Sequence, residues 1–100
     1  MWKQRAAIKD QVTLVARSER NRLGAPVAAK KRDVRLVLLR GKGQRIMDAD
    51  NAITAIKAPL DGIVAAGWLV DDSGKWCTLS VDQVKDNARG PALEVRVTAV

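Results

Sequence analysis

The sequence predicts a small α/β fold, α+β-like in its layering, with a mixed sheet of three to four strands packed against two helices. Three observations predict it. Apolar residues recur at three- and four-residue spacing over residues 2–22 and again from Ala52 onward, the mark of helices with one buried face. Asp33 to Arg40 carries Val34, Leu36 and Leu38 on one side and Val37 and Leu39 on the other, as a strand central in a sheet does. Lys75 to Val84 and Leu93 to Thr98 alternate with a period of two.

With 100 residues, 47% of them hydrophobic and 29% charged, residues 1–100 make one domain with one modest core. No run is apolar enough to cross a bilayer and nothing resembles a signal peptide, so no membrane partner and a cytoplasmic address are expected. Cys77 is the only cysteine and histidine is absent, which excludes an internal disulfide, a thiolate–imidazole pair and a Cys/His zinc site. Any metal here is held by oxygen. Residues 1–45 carry thirteen Lys/Arg against three Asp/Glu, and residues 46–100 carry five against eight. A basic half beside an acidic cluster fits a partner with a phosphate backbone.

In the first helix, Ile8, Val12 and Val15 form an apolar stripe extended by Trp2 and Ala16, while Lys3, Lys9, Arg17 and Arg20 occupy the other surface. Leu23 to Pro26 ends it. The central strand follows, then a basic loop from Gly41 to Arg45 that lacks the phosphate-loop pattern. The second helix opens at Asp48 and Asp50, where free backbone N–H groups favour carboxylates, and Gly67 closes it. Ile53, Ile56, Leu60 and Ile63 or Val64 are its buried stripe. Pro59 inside it removes a hydrogen bond to Ala55 and predicts a bend or a break. Trp68-Leu69-Val70 reads as a short extended piece, with Trp68 as packing rather than a base-stacking platform. The last two strands, separated by a turn over Asp86 to Pro91, are expected to pair as an antiparallel hairpin, and Cys77 reads as a small buried hydrophobe.

The stretch from Arg45 to Asp72 holds five of the eleven acidic residues. Asp50, Thr54, Lys57 and Asp61 stack along one helix side. Asp48 stands just before that side, and Asp71 and Asp72 follow the helix. A D-x-D-N and a D-D supply hard oxygen donors of the kind divalent cations prefer, but only if the segment after the helix folds back beside its first turn. The plain alternative assigns Asp48 to capping, Asp71 and Asp72 to a polar turn, and Lys57 and Asp61 to an exposed i,i+4 pair.

The order D-x-D-N, a lysine on the following helix, D-G, A-G and a short apolar run ending in D-D resembles the core signature of RusA-like crossover-junction endodeoxyribonucleases, over roughly Val34 to Val100 and more loosely over the first helix. The resemblance implies a RusA-like endonuclease domain that lacks the family's usual first strand, which leaves a sheet edge uncovered or covered by a partner. It implies Mg²⁺, with Mn²⁺ as a substitute, on Asp48, Asp50 and Asp72. It makes Lys57 the catalytic lysine and Asn51 and Asp71 neighbouring motif positions, with Asp61 nearby. It further implies a homodimer acting on branched double-stranded DNA, in bacteria or their prophages, with metal-assisted hydrolysis of phosphodiester bonds in Holliday junctions during recombination and repair. The spacing from Asn51 to Lys57 is about one helical turn longer than in the shortest family motif. Arg45, Lys42, Arg40, Arg35, Lys30, Lys31, Arg32 and Arg17 are the candidate contacts to nucleic acid. The competing expectation is a relative that binds branched DNA without cutting it.

Overall fold

The computed structural model describes residues 2–100, with side chains from Ala6 onward, so the places given to the side chains of Trp2 and Lys3 lie outside the described residues. The order is α1 (Trp2–Leu23), β1 (Arg32–Arg40), α2 (Ala49–Ala65), β2 (Cys77–Lys85) and β3 (Ala92–Ala99). The fold is a small α/β layer in which a mixed three-stranded sheet carries two helices. Among the described residues no helix is long and apolar enough to cross a membrane.

β1 is the middle strand, as its two-sided apolar pattern requires. It pairs in parallel with β2, Arg32 opposite Cys77 and Arg40 opposite Lys85, and antiparallel with β3, Arg32 opposite Ala99. The expected β2–β3 hairpin is therefore wrong. Those strands lie on opposite sides of β1, and the connection between them crosses the end of β1 at Gly41. A Cβ on Gly41 would sit 2.6 Å from the Gly90 carbonyl carbon, so both glycines serve that crossing. Alternation fixes which face a residue occupies but not which strand lies beside it.

One core holds the layers together. Val34 and Leu36 of β1, Ile56, Leu60 and Ile63 of α2, Leu69 and Cys77 form it, with Val12 of α1 and Leu38, Val81, Leu93 and Val97 of the sheet packed around them. On the other sheet face Val37 and Leu39 are also buried. Ile53, expected in the α2 stripe, is 51% exposed, and Ala52 takes the inward place. Among the described residues of α1 Val12 packs against the core, while Ile8 and Val15 stay exposed.

α2 runs unbroken through Pro59. The carbonyl that the proline leaves without its helical donor belongs to Ala55, an exposed residue. Both helices end in the same motif. Gly24 and Gly67 adopt φ of 65° and 89°, and the N–H groups of Ala25 and Trp68 reach back to the carbonyls of Arg20 and Ile63. Residues 68–70, expected to be extended, form the bend that follows, and Leu69 drops into the core. Trp68 packs against that core and donates its indole N–H to the Ala16 carbonyl at 2.8 Å, which bears out its assignment to packing.

Candidate active site at the two ends of helix α2

Because β1, α2 and β2 form a parallel crossover, the head of α2 lies at the Arg40–Lys85 end of the sheet and its tail at the Arg32–Cys77 end. Asp48 caps the head. It is extended, with φ −65° and ψ 164°, and its carboxylate accepts the Asn51 N–H at 2.9 Å. Asp50 and Asn51 are exposed on the first turn, and Thr54 donates to the Asp50 carbonyl at 3.0 Å. Lys57 and Asp61 are exposed further along. From Asp50 to Lys57 is seven residues, about 10 Å along the axis.

Asp71 and Asp72 are exposed beyond the tail. Asp72 is close enough to Cys77 to raise its thiol pKa, after burial, which is the larger cause, and together with Asp33. Seventeen helical residues separate Asp48 from that end, a length of about 25 Å. The segment after α2 does not fold back beside its first turn. Among the described residues no three His, Cys, Asp or Glu side chains converge in a group able to hold a metal ion. Asp48 and Asp50 are together at one end, and Asp72 is not with them.

The candidate nucleic-acid contacts divide by what their side chains already do. Arg17 reaches the Ala65 carbonyl and Arg32 the Trp68 carbonyl, each at 3.5 Å, beside the α2 tail where helix carbonyls lack partners. Arg35 pairs with Asp82 at 3.0 Å on the sheet face away from the helices. Arg40 donates to the Arg45 carbonyl at 3.0 Å. The side chains of Lys42 and Arg45 at the head, and of Lys30 and Lys31 at the tail, make no hydrogen bond or ion pair among the described residues. Lys42 and Arg45 stand exposed at the head with Asp48 and Asp50, and Lys30 and Lys31 stand exposed at the tail with Asp71 and Asp72.

Periodicity alone missed the residues that hold the head loop. The Met47 N–H donates to Gln83 Oε1 at 2.8 Å, and Gln83 Nε2 donates back to the Met47 carbonyl at 2.7 Å. Lys85 donates to the carbonyls of Gly41 and Gln44. The signal was present in β2, where Gln83 and Lys85 continue the inward row of Cys77, Leu79 and Val81 with polar side chains. Compared with protein-family profiles, with curated proteins and with solved structures, the chain finds no match.

Proposed function

We propose that the chain is a Mg²⁺-dependent, structure-selective endonuclease of the RusA-like kind, hydrolysing phosphodiester bonds in four-way DNA junctions during recombination and repair. The observation that carries this reading is the head of α2. Asp48, Asp50 and Asn51 stand exposed on its first turn, directly after the loop that offers Lys42 and Arg45, with Lys57 further along the same helix. Lys42 and Arg45 would hold a backbone phosphate, and the Lys57 ammonium would stabilise negative charge developing on the scissile group.

Magnesium asks for several oxygen donors at one point. The carboxylates of one chain do not supply them, since Asp72 lies about a helix length from Asp48. The reading therefore takes two copies. Antiparallel α2 helices about a two-fold axis would set Asp72 of the partner subunit beside Asp48 and Asp50, and would do so twice. Lys30 and Lys31 would join Lys42 and Arg45 in the same move. Two such sites suit a junction in which two opposed strands are cut.

The test is cleavage of a labelled immobile four-way junction beside a matched linear duplex, with Mg²⁺ or EDTA, by wild type and Asp50→Asn. Symmetric nicks in the junction alone, absent with EDTA and in the variant, are expected. A second reading, binding of branched DNA without cleavage, is favoured by the separation of Asp48 from Asp72 within one chain. It predicts tight, strongly salt-dependent junction binding and no nick under any of these conditions.

A further inference from the structure

We propose that Gln83 is the positioning residue for Asp48, a role that rests on the endonuclease reading. Gln83 lies on the same face of β2 as Cys77, Leu79 and Val81 and, like Val81, is half-buried. Its amide is engaged by a single neighbour. It accepts the Met47 N–H at 2.8 Å and donates to the Met47 carbonyl at 2.7 Å. A neighbouring strand makes the same pair of bonds, so one side chain extends the sheet to the residue just before the cap.

The consequence for Asp48 is geometric. The Met47 carbonyl belongs to the peptide plane that carries the Asp48 nitrogen, and that plane is rigid. Gln83 fixes it from the upstream side. Downstream, the Asn51 N–H donates to the Asp48 carboxylate at 2.9 Å and the Ala52 N–H to the Asp48 carbonyl at 3.0 Å. The other ties on the loop, from Arg40, Gln44 and Lys85, end at Arg45. Between Arg45 and Asp48, the two Gln83 bonds are the only hydrogen bonds among the described residues. Ile46 is 52% exposed and gives no further anchor. Without Gln83 the carboxylate still caps its helix, but the residue before it loses both of its hydrogen bonds.

The chemistry of the pair selects glutamine. A carboxylate at position 83 accepts from the Met47 N–H but gives nothing to the Met47 carbonyl, and it adds a negative charge near Asp48. A methionine keeps the length and loses both bonds.

The experiment compares Gln83→Met and Gln83→Glu with wild type in amide hydrogen exchange, in junction affinity and in the cleavage rate at saturating junction. In Gln83→Met the Met47 amide should exchange about tenfold faster or more, while the Leu36 amide in β1 stays protected. Cleavage should fall roughly 10- to 100-fold, as when an outer-shell partner is lost, with junction Kd unchanged. Gln83→Glu should keep the Met47 amide protected and still lose cleavage. Unchanged Met47 exchange in Gln83→Met overturns the proposal, and so does an unchanged cleavage rate when that exchange is faster. Equal losses of cleavage, affinity and Leu36 protection also overturn it, because they report general destabilisation. If wild type cuts no junction, the endonuclease reading fails on that result. Met47 exchange then decides alone: acceleration in Gln83→Met keeps Gln83 as the anchor of Asp48, and no change removes it.

Discussion

Arg20 donates to the Ala66 carbonyl at 2.8 Å and to the Ala25 carbonyl at 3.1 Å, so one guanidinium ties together the chain just past the ends of both helices. A planar fork with several fixed donors does this, and an ammonium does not do it as well. Arg20→Met should cost about 1–3 kcal/mol in urea unfolding, because partly buried carbonyls lose a charged donor. Lys42→Gln should leave stability within about 0.5 kcal/mol. In filter-binding titrations over a salt series it should weaken DNA binding and lower the salt slope by about 1. The sequence makes the surplus of cations legible, but not their division between protein carbonyls and solvent. That division depends on where α2 ends and which arginines reach its last turn. A carboxylate gives a third test at this scale. Asp86 accepts the Arg89 and Ala88 N–H groups and the Arg89 guanidinium, and the Arg89 bonds hold its pKa below the ordinary 3.8. Since the folded value is the lower one, its stabilisation is present above pH 3.8 and is lost as pH falls below it. In acid titrations followed by tryptophan fluorescence, Asp86→Asn should lose this part of the acid dependence.

α2 meets α1 at Gly62, where an added Cβ would lie 2.8 Å from the Lys9 carbonyl oxygen and 2.9 Å from Val12 Cβ. The neighbour is backbone, which cannot step aside as a side-chain tip would. Gly62→Ala should therefore destabilise by about 1–3 kcal/mol in thermal melts, despite alanine's better helix propensity. Gly74→Ala, with nothing within 4 Å, is the control and should be near neutral. The inner face of α2 was legible in the spacing of Ile56, Leu60 and Ile63, because burial of one helix face imposes that period. Ile53 shares the period but lies out of the core, because the inner face runs through Ala52, Ile56 and Ile63 and leaves Ile53 at its edge. Pro59 was legible as an irregularity, but its outcome was not: the helix runs through it unbroken. For β2 and β3 the faces were readable and the neighbours were not. Pairing is a long-range choice, and β1 took both.

Charge is distributed along the molecule, whose principal extents are 39 × 28 × 23 Å. Lys42, Arg45, Asp48 and Asp50 lie at one end of α2, and Lys30, Lys31, Asp71 and Asp72 at the other. The sequence shows every member of this set, but their separation becomes visible only once the crossover sets the direction of α2. If two copies complete each other, Asp48→Asn and Asp72→Asn are each inactive alone. Mixed and allowed to exchange subunits, they should recover junction cleavage, because one of the two composite sites then holds only native aspartates. Continued inactivity of the mixture, with exchange verified by mass, would argue for a site within one chain. The central place of β1 also bears on how the chain comes off the ribosome. Its partners begin at Cys77 and Ala92, so both helices and the middle strand are synthesised before either neighbour exists. Val34, Leu36, Ile56 and Ile63 then wait with an incomplete sheet beneath them, an apolar surface that stays open until β3 emerges.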